Sequence, residues 1–166
     1  MSIRPPVVFI GPMAAGKTKV GKRLARLLNA GFIDTDKVIA AEYGSIPEIF
    51  ARHGEPYFRN LERGAVVAAL ATDHVVSFGG GAVLDPATQA DLAGHHVVYL
   101  SVSPEAVAAR LADTSRPLVQ NGGVTEWERI YALRRPIYEA LADLEIDTSA
   151  GKFDDVAEEV AAWLRT

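Results

Sequence analysis

Five short apolar runs punctuate the chain: VVFI (7–10), AGFIDTD (30–36), HVVSF (74–78), HHVVYL (95–100) and LEID (144–147). They are rich in β-branched or aromatic residues and bounded by turn formers, which is the pattern of strands. Between them apolar positions recur at helical spacing. Val20, Leu24, Leu27 and Leu28 do so within 17–29, and residues 46–50, 55–70, 86–93, 103–112, 125–142 and 153–166 also read as helices. Ser103 is the expected N-cap of one of these, with Pro104 at its first position. Alternating strands and helices with short connections predict an α/β fold, a three-layer αβα arrangement around a parallel sheet of about five strands. The strands look apolar throughout, which fits burial on both faces. The stretch DTSRPLVQNGG (113–123) fits neither element and reads as a mobile loop.

Composition narrows the picture. The chain has 166 residues, the size of a single domain over 1–166, and 49% of them are hydrophobic. A formal net charge of −4 argues against a broad nucleic-acid-binding face and for a local anion pocket. There is no cysteine, so disulfides, thiolate nucleophiles and cysteine zinc sites are excluded. No run approaches the roughly 20 apolar residues of a membrane helix. Gly11-Pro12 interrupts the apolar run after Arg4, a poor signal peptide. The expectation is a soluble, cytoplasmic protein with neither membrane nor nucleic acid as partner. The four histidines have no metal-like spacing. Met13, Tyr57 and Phe58 are expected in packing, and Trp127 and Trp163 half-buried on helices.

The densest chemistry lies at GPMAAGKT (11–18), which matches G-x-x-x-x-G-K-[ST] between a strand and a helix. In such a loop, backbone N–H groups and the helix N-terminus converge on phosphate. Ala14, Ala15 and Gly16 supply loop backbone, Lys17 reaches the β- and γ-phosphates, and the Thr18 hydroxyl serves Mg²⁺. Lys17, Lys19, Lys22 and Arg23 crowd a helix start, where cations are locally unfavourable; a bound polyphosphate explains that crowding, with Lys22 and Arg23 themselves read as lying on a solvated helix face and not in contact with the ligand. No guanine-reading N-K-x-D stretch occurs, which favours ATP.

Four further features could serve a second substrate. In DTD (34–36), one carboxylate could serve the metal and the other accept hydrogen bonds and a proton from a hydroxyl; an Asp there could equally cap a helix. YFRNLE (57–62) places Arg59 on a helix, where a lone arginine is usually a solvated charge. SFGGG (77–81) lets backbone approach a ligand closely; the alternative is a flexible turn. In RRPIY (134–138), a proline inside a helix, at a cost of ~3 kcal/mol, could aim Arg134 inward; the alternative is two exposed arginines.

Together, GPMAAGKT, DTD, FR (58–59), GGGAV (79–83), SRPL (115–118) and RRPIY resemble the shikimate kinase family in order and spacing over nearly the whole chain. The resemblance implies a P-loop fold like that of nucleoside monophosphate kinases and ATP-dependent phosphorylation of the 3-hydroxyl of shikimate. It implies that Asp36 binds the ring hydroxyls and assists deprotonation, Asp34 supports Mg²⁺ through water beside Thr18, and Arg59 and Arg134 grip the carboxylate. Gly80 would offer its N–H to shikimate. Arg116 would reach the phosphates from a mobile lid at about 112–124, Arg110 would stack on adenine, the loop after DTS (147–149) would border the adenine, and a helical segment at about 35–62 would hold the acceptor. A monomer is expected. Two positions depart from the family's loop. Ala14 stands where glycine is frequent and is strained if φ there is positive. Lys19 replaces a small hydroxyl residue and is expected to face the α-phosphate or solvent. The alternatives are a related kinase acting on gluconate or another hydroxy acid, and an ATP-binding domain without transfer activity.

Overall fold

Strand β1 (Val7–Ile10) is buried along its whole length and lies at the centre of the sheet. The structure is a computed structural model and describes residues 6–112 and 123–166. The other strands are β2 (Phe32–Asp34), β3 (Val75–Ser77), β4 (His96–Ser101) and β5 (Leu144–Asp147), in the spatial order β2-β3-β1-β4-β5. All the ladders are parallel. Flanking the sheet are α1 (Lys17–Leu27), α2 (Thr35–Tyr43), α3 (Ile46–His53), α4 (Glu55–Leu70), α5 (Pro86–Asp91), α6 (Pro104–Ala112), α7 (Gly123–Leu141) and α8 (Phe153–Leu164). The predicted α/β architecture is therefore the observed one. Among the described residues no helix is long and apolar enough to cross a membrane.

The main core joins β1, β3 and β4 to Val20 and Leu24 of α1, Trp127 and Tyr138 of α7, and Ala157 and Val160 of α8. A second, smaller core unites Ile39, Ile49 and Phe58 of α2, α3 and α4. Capping explains several boundaries. Ser103 Oγ accepts the Ala106 N–H at 3.1 Å, as its sequence position predicts. Asp34 caps α2 through Lys37 N–H, and Ser45 caps α3.

Some expectations need correction. The second strand is confined to 32–34, and Thr35 and Asp36 already belong to α2, whose residues carry no clean apolar stripe in sequence. The glycine turn continues into a 3₁₀ turn at Ala82–Leu84. β5 alternates between exposed and covered positions because it is an edge strand. Trp127 is buried, not half-buried, while Met13 and Tyr57, expected in packing, are 53% and 41% exposed. The expected lid falls largely on 113–122, outside the described residues, as does Arg116.

Candidate active site

The loop from Gly11 to Gly16 joins β1 to α1 at the carboxyl end of the sheet. Gly16 is the N-cap of α1 at φ 97°, with no side-chain cap. A β-carbon there would sit 2.5 Å from the Phe153 ring. Ala14 has φ 69°, so the anticipated strain is real; the left-handed region costs a non-glycine residue ~1–2 kcal/mol. Three neighbours fasten this stretch. Trp127 Nε1 donates to the Met13 carbonyl at 2.8 Å, Arg110 Nη1 to that of Ala14 at 2.8 Å, and Thr148 Oγ1 to that of Ala15 at 2.6 Å. With those carbonyls engaged, the first N–H groups of α1, which have no intrahelical partner, remain for an anion.

Lys17 Nζ donates to the carbonyls of Gly11 at 2.6 Å and Pro12 at 3.0 Å. Burial pushes its pKa down to about 8, against the pull of Asp36 and Asp34. Thr18 Oγ1 donates to Asp34 Oδ2 at 2.8 Å, while Asp34 Oδ1 accepts the Lys37 N–H at 3.2 Å. One carboxylate thus caps a helix, as one reading of DTD expects, and also accepts from the loop hydroxyl. The paired oxygens of Thr18 and Asp34 are hard donors that suit Mg²⁺.

Between the two acids, buried Thr35 ties α2 to the glycine turn, because its hydroxyl accepts the Gly79 N–H at 3.1 Å. This brings Asp36 against Gly79 so closely that a β-carbon there would collide with the carboxylate. Burial, then the neighbouring Asp34, raises the Asp36 pKa, while Lys17 and Arg59 pull it down. Arg59 packs against Gly81, where a β-carbon would lie 2.5 Å from its guanidinium. Its Nη1 donates to buried Glu62 at 2.7 Å, and its Nε and Nη2 to Glu55 at 3.3 Å. Arg134 Nη1 would lie 3.4 Å from a β-carbon at Gly80. It is partly buried while Arg135 is exposed, which decides between the two readings of that pair. Tyr138 Oη donates to the Gly80 carbonyl at 2.5 Å. The three glycines therefore each face a different charged side chain: an acid, then two arginines.

A cleft of about 420 Å³ runs along this region, lined among others by Ala14, Gly16, Lys17, Thr18, Lys19, Asp34, Asp36, Gly80 and Arg110. Ala15 is buried and offers only backbone. Arg110 stacks over Phe153 with its guanidinium carbon 4.9 Å from the ring centroid, and its Nη2 donates to the Thr148 carbonyl. Exposed Lys19 stands 5.8 Å from the same centroid. Sequence reasoning missed the roles of Thr35, Glu62, Trp127, Tyr138 and Phe153; Glu62 pairs within its own helix, and the others act through tertiary contacts. The available signal was spacing: Glu62 lies one turn beyond Arg59, and Trp127, Arg134 and Tyr138 share one stripe of a helix.

A model of the family described as shikimate kinase matches residues 13–165. A shikimate kinase of Thermobifida fusca is 44% identical over 99% of this chain and 97% of its own length. One of Frankia casuarinae is 46% identical over 95% of this chain and 72% of its own. Among solved structures, shikimate kinase from Acinetobacter baumannii in complex with shikimate superposes with a TM-score of 0.88 at 31% identity, covering 99% of this chain and 94% of that one.

Proposed function

The chain belongs to the shikimate kinase family, and from that premise we propose that it transfers the γ-phosphoryl group of ATP to the 3-hydroxyl of shikimate, giving shikimate 3-phosphate and ADP. The observation that carries this reading is the convergence of Asp36, Arg134 and Arg59 on Gly79, Gly80 and Gly81 beside the phosphate loop. An acceptor with a carboxylate at one end and hydroxyls at the other needs cations for the first and an acid for the second. Arg59 and Arg134 take the carboxylate, and each charge-assisted hydrogen bond contributes ~1.5–3 kcal/mol. Glu62 and Glu55 hold the Arg59 fork before the acceptor arrives. The Gly80 N–H and Asp36 hold the hydroxyl end.

Asp36 then accepts the proton as the hydroxyl oxygen bonds to the γ-phosphorus and the bond to the bridging oxygen of ADP breaks. Its raised pKa makes it the better base. Lys17 exchanges its loop carbonyls for the β- and γ-phosphates, and the loop N–H groups of Ala14 to Thr18 cradle them. Mg²⁺, held by Thr18 and through water by Asp34, would neutralise charge on the phosphates. Arg110 offers its guanidinium plane to adenine and Lys19 flanks the phosphates. The family role of Arg116 is at the phosphates, as part of a lid at about 112–124. Residues 35–62 form the acceptor-holding segment, and we read the enzyme as a cytoplasmic monomer.

The decisive experiment is ADP release from Mg-ATP with shikimate, gluconate, a nucleoside monophosphate or no acceptor. Turnover with shikimate alone is expected. Turnover with gluconate would discard the acceptor assignment, and ATP binding with no acceptor-dependent turnover would overturn the transfer reading.

A further inference from the structure

Lys19, Lys22, Arg23 and Arg26 stand at i, i+3, i+4 and i+7 on α1 and so form one stripe. The transfer chemistry uses only the first of them. The stripe borders a groove of about 530 Å³ that Gly151, Lys152, Phe153 and Asp154 close from the side of α8. Five cations thus line a single depression in a chain whose net charge is −4. Its one acid, Asp154, approaches Arg23 only to 3.9 Å, with side-chain exposures of 72% and 35%; such a pair contributes little. Among the described residues no ion pair reaches Lys19, Lys22, Arg26 or Lys152, and the buried Nε of Arg23 makes no hydrogen bond. Like charges one turn apart destabilise a helix, and α1 has no acid in its first turn to offset them.

We propose that this groove binds an oligophosphate, a chain of about three phosphate groups, as a second anion site beside the nucleotide cleft. The chemistry fits that class. Arginine presents paired donors to phosphate oxygens, lysine presents point charges, and a row of both matches a linear polyanion. Lys19 and Phe153 line both the groove and the cleft, so the two sites share side chains. An occupant of the groove therefore changes nucleotide affinity, and by linkage the nucleotide changes the occupant's affinity by the same factor. The oligophosphate could be inorganic or the tail of a second nucleotide.

The test is equilibrium binding of inorganic tripolyphosphate, and separately of ATP, to enzyme saturated with the non-hydrolysable analogue Mg-AMPPNP. Analogue binding in the same samples checks the nucleotide reading independently. One equivalent of tripolyphosphate is expected to bind the saturated enzyme, and Lys22→Gln/Arg26→Gln should weaken it about tenfold or more while leaving kcat unchanged. If ATP binds the saturated enzyme equally well, a nucleotide tail is the occupant; if tripolyphosphate alone binds, the ligand is inorganic. No binding to the saturated enzyme, or binding that the double variant leaves intact, would overturn the proposal. So would a variant whose only change is a salt-dependent rise in the KM for ATP, because the stripe would then merely steer the nucleotide.

Discussion

Ala14 carries a left-handed backbone without being glycine. Ala14→Gly removes a strain of ~1–2 kcal/mol and returns ~0.4–1 kcal/mol of unfolded-state entropy. A small net stabilisation is expected, read as a rise in thermal midpoint of the nucleotide-free protein; a fall would mean the loop holds Ala14 without strain. Two titrations frame the pH dependence. Asp36 acts as base only when ionised, and its pKa is raised, so kcat/KM should climb along an acid limb above the ordinary carboxylate range. Lys17 binds phosphate only when protonated, and its pKa is about 8, so kcat/KM should decline as pH rises through that value. The lysine has the opposite sign for stability. Its folded pKa lies below its ordinary 10.5, so the unfolded chain binds more protons between those values and this group's contribution grows with rising pH. A pH–rate profile without an alkaline limb near 8 would remove Lys17 from the role of phosphate cation.

At the scale of elements, α7 ties the phosphate loop to the glycine turn. Trp127, Tyr131, Arg134 and Tyr138 lie at i, i+4, i+7 and i+11, and this stripe runs from the phosphate loop to the glycine turn. Tyr131 and Tyr99 are hydrogen-bonded through their hydroxyls, and Tyr99 and Tyr138 stack with centroids 5.3 Å apart. Removing one end of the strap should be felt mainly at that end. Trp127→Phe is expected to raise the KM for ATP several-fold with little change for shikimate, and Tyr138→Phe the reverse; steady-state kinetics on both substrates checks the split. Equal effects of either variant on both constants would mean that α7 acts as a single rigid wall. None of this coupling was legible in the sequence. The phosphate loop, DTD, the three glycines and Arg134 were, because each pairs a chemical group with a local backbone signal; Arg59 has no such signal and was singled out only by the family resemblance. Trp127 and Tyr138 carry no such signal: an aromatic at helical spacing reads as core, and only the fold shows that its polar atom reaches a loop carbonyl. α2 escaped the periodicity reading for a related reason, since Ile39 is its one buried apolar side chain, and only the family resemblance placed 35–62 in a helical segment.

At the scale of the molecule, the described residues form two cores, not one. The sheet with α1, α7 and α8 forms the first, and Ile39, Ile49 and Phe58 form the second beneath Asp36 and Arg59. Ile49→Ala should cost ~2–5 kcal/mol, and the small core should absorb it locally. Amide hydrogen exchange is expected to quicken across 35–62 while β1 and β4 stay protected, and the KM for shikimate should rise more than that for ATP. Faster exchange throughout the sheet would show the two cores to be one cooperative unit. If they are separate, the molecule divides its exposure to mutation. Changes that loosen or refill the small core reshape what the acid and one arginine hold, yet leave the phosphate-handling scaffold foldable. Over many generations variants with altered acceptor preference would survive as folded proteins in that half first, and drift in the lineage should be faster there than around the sheet.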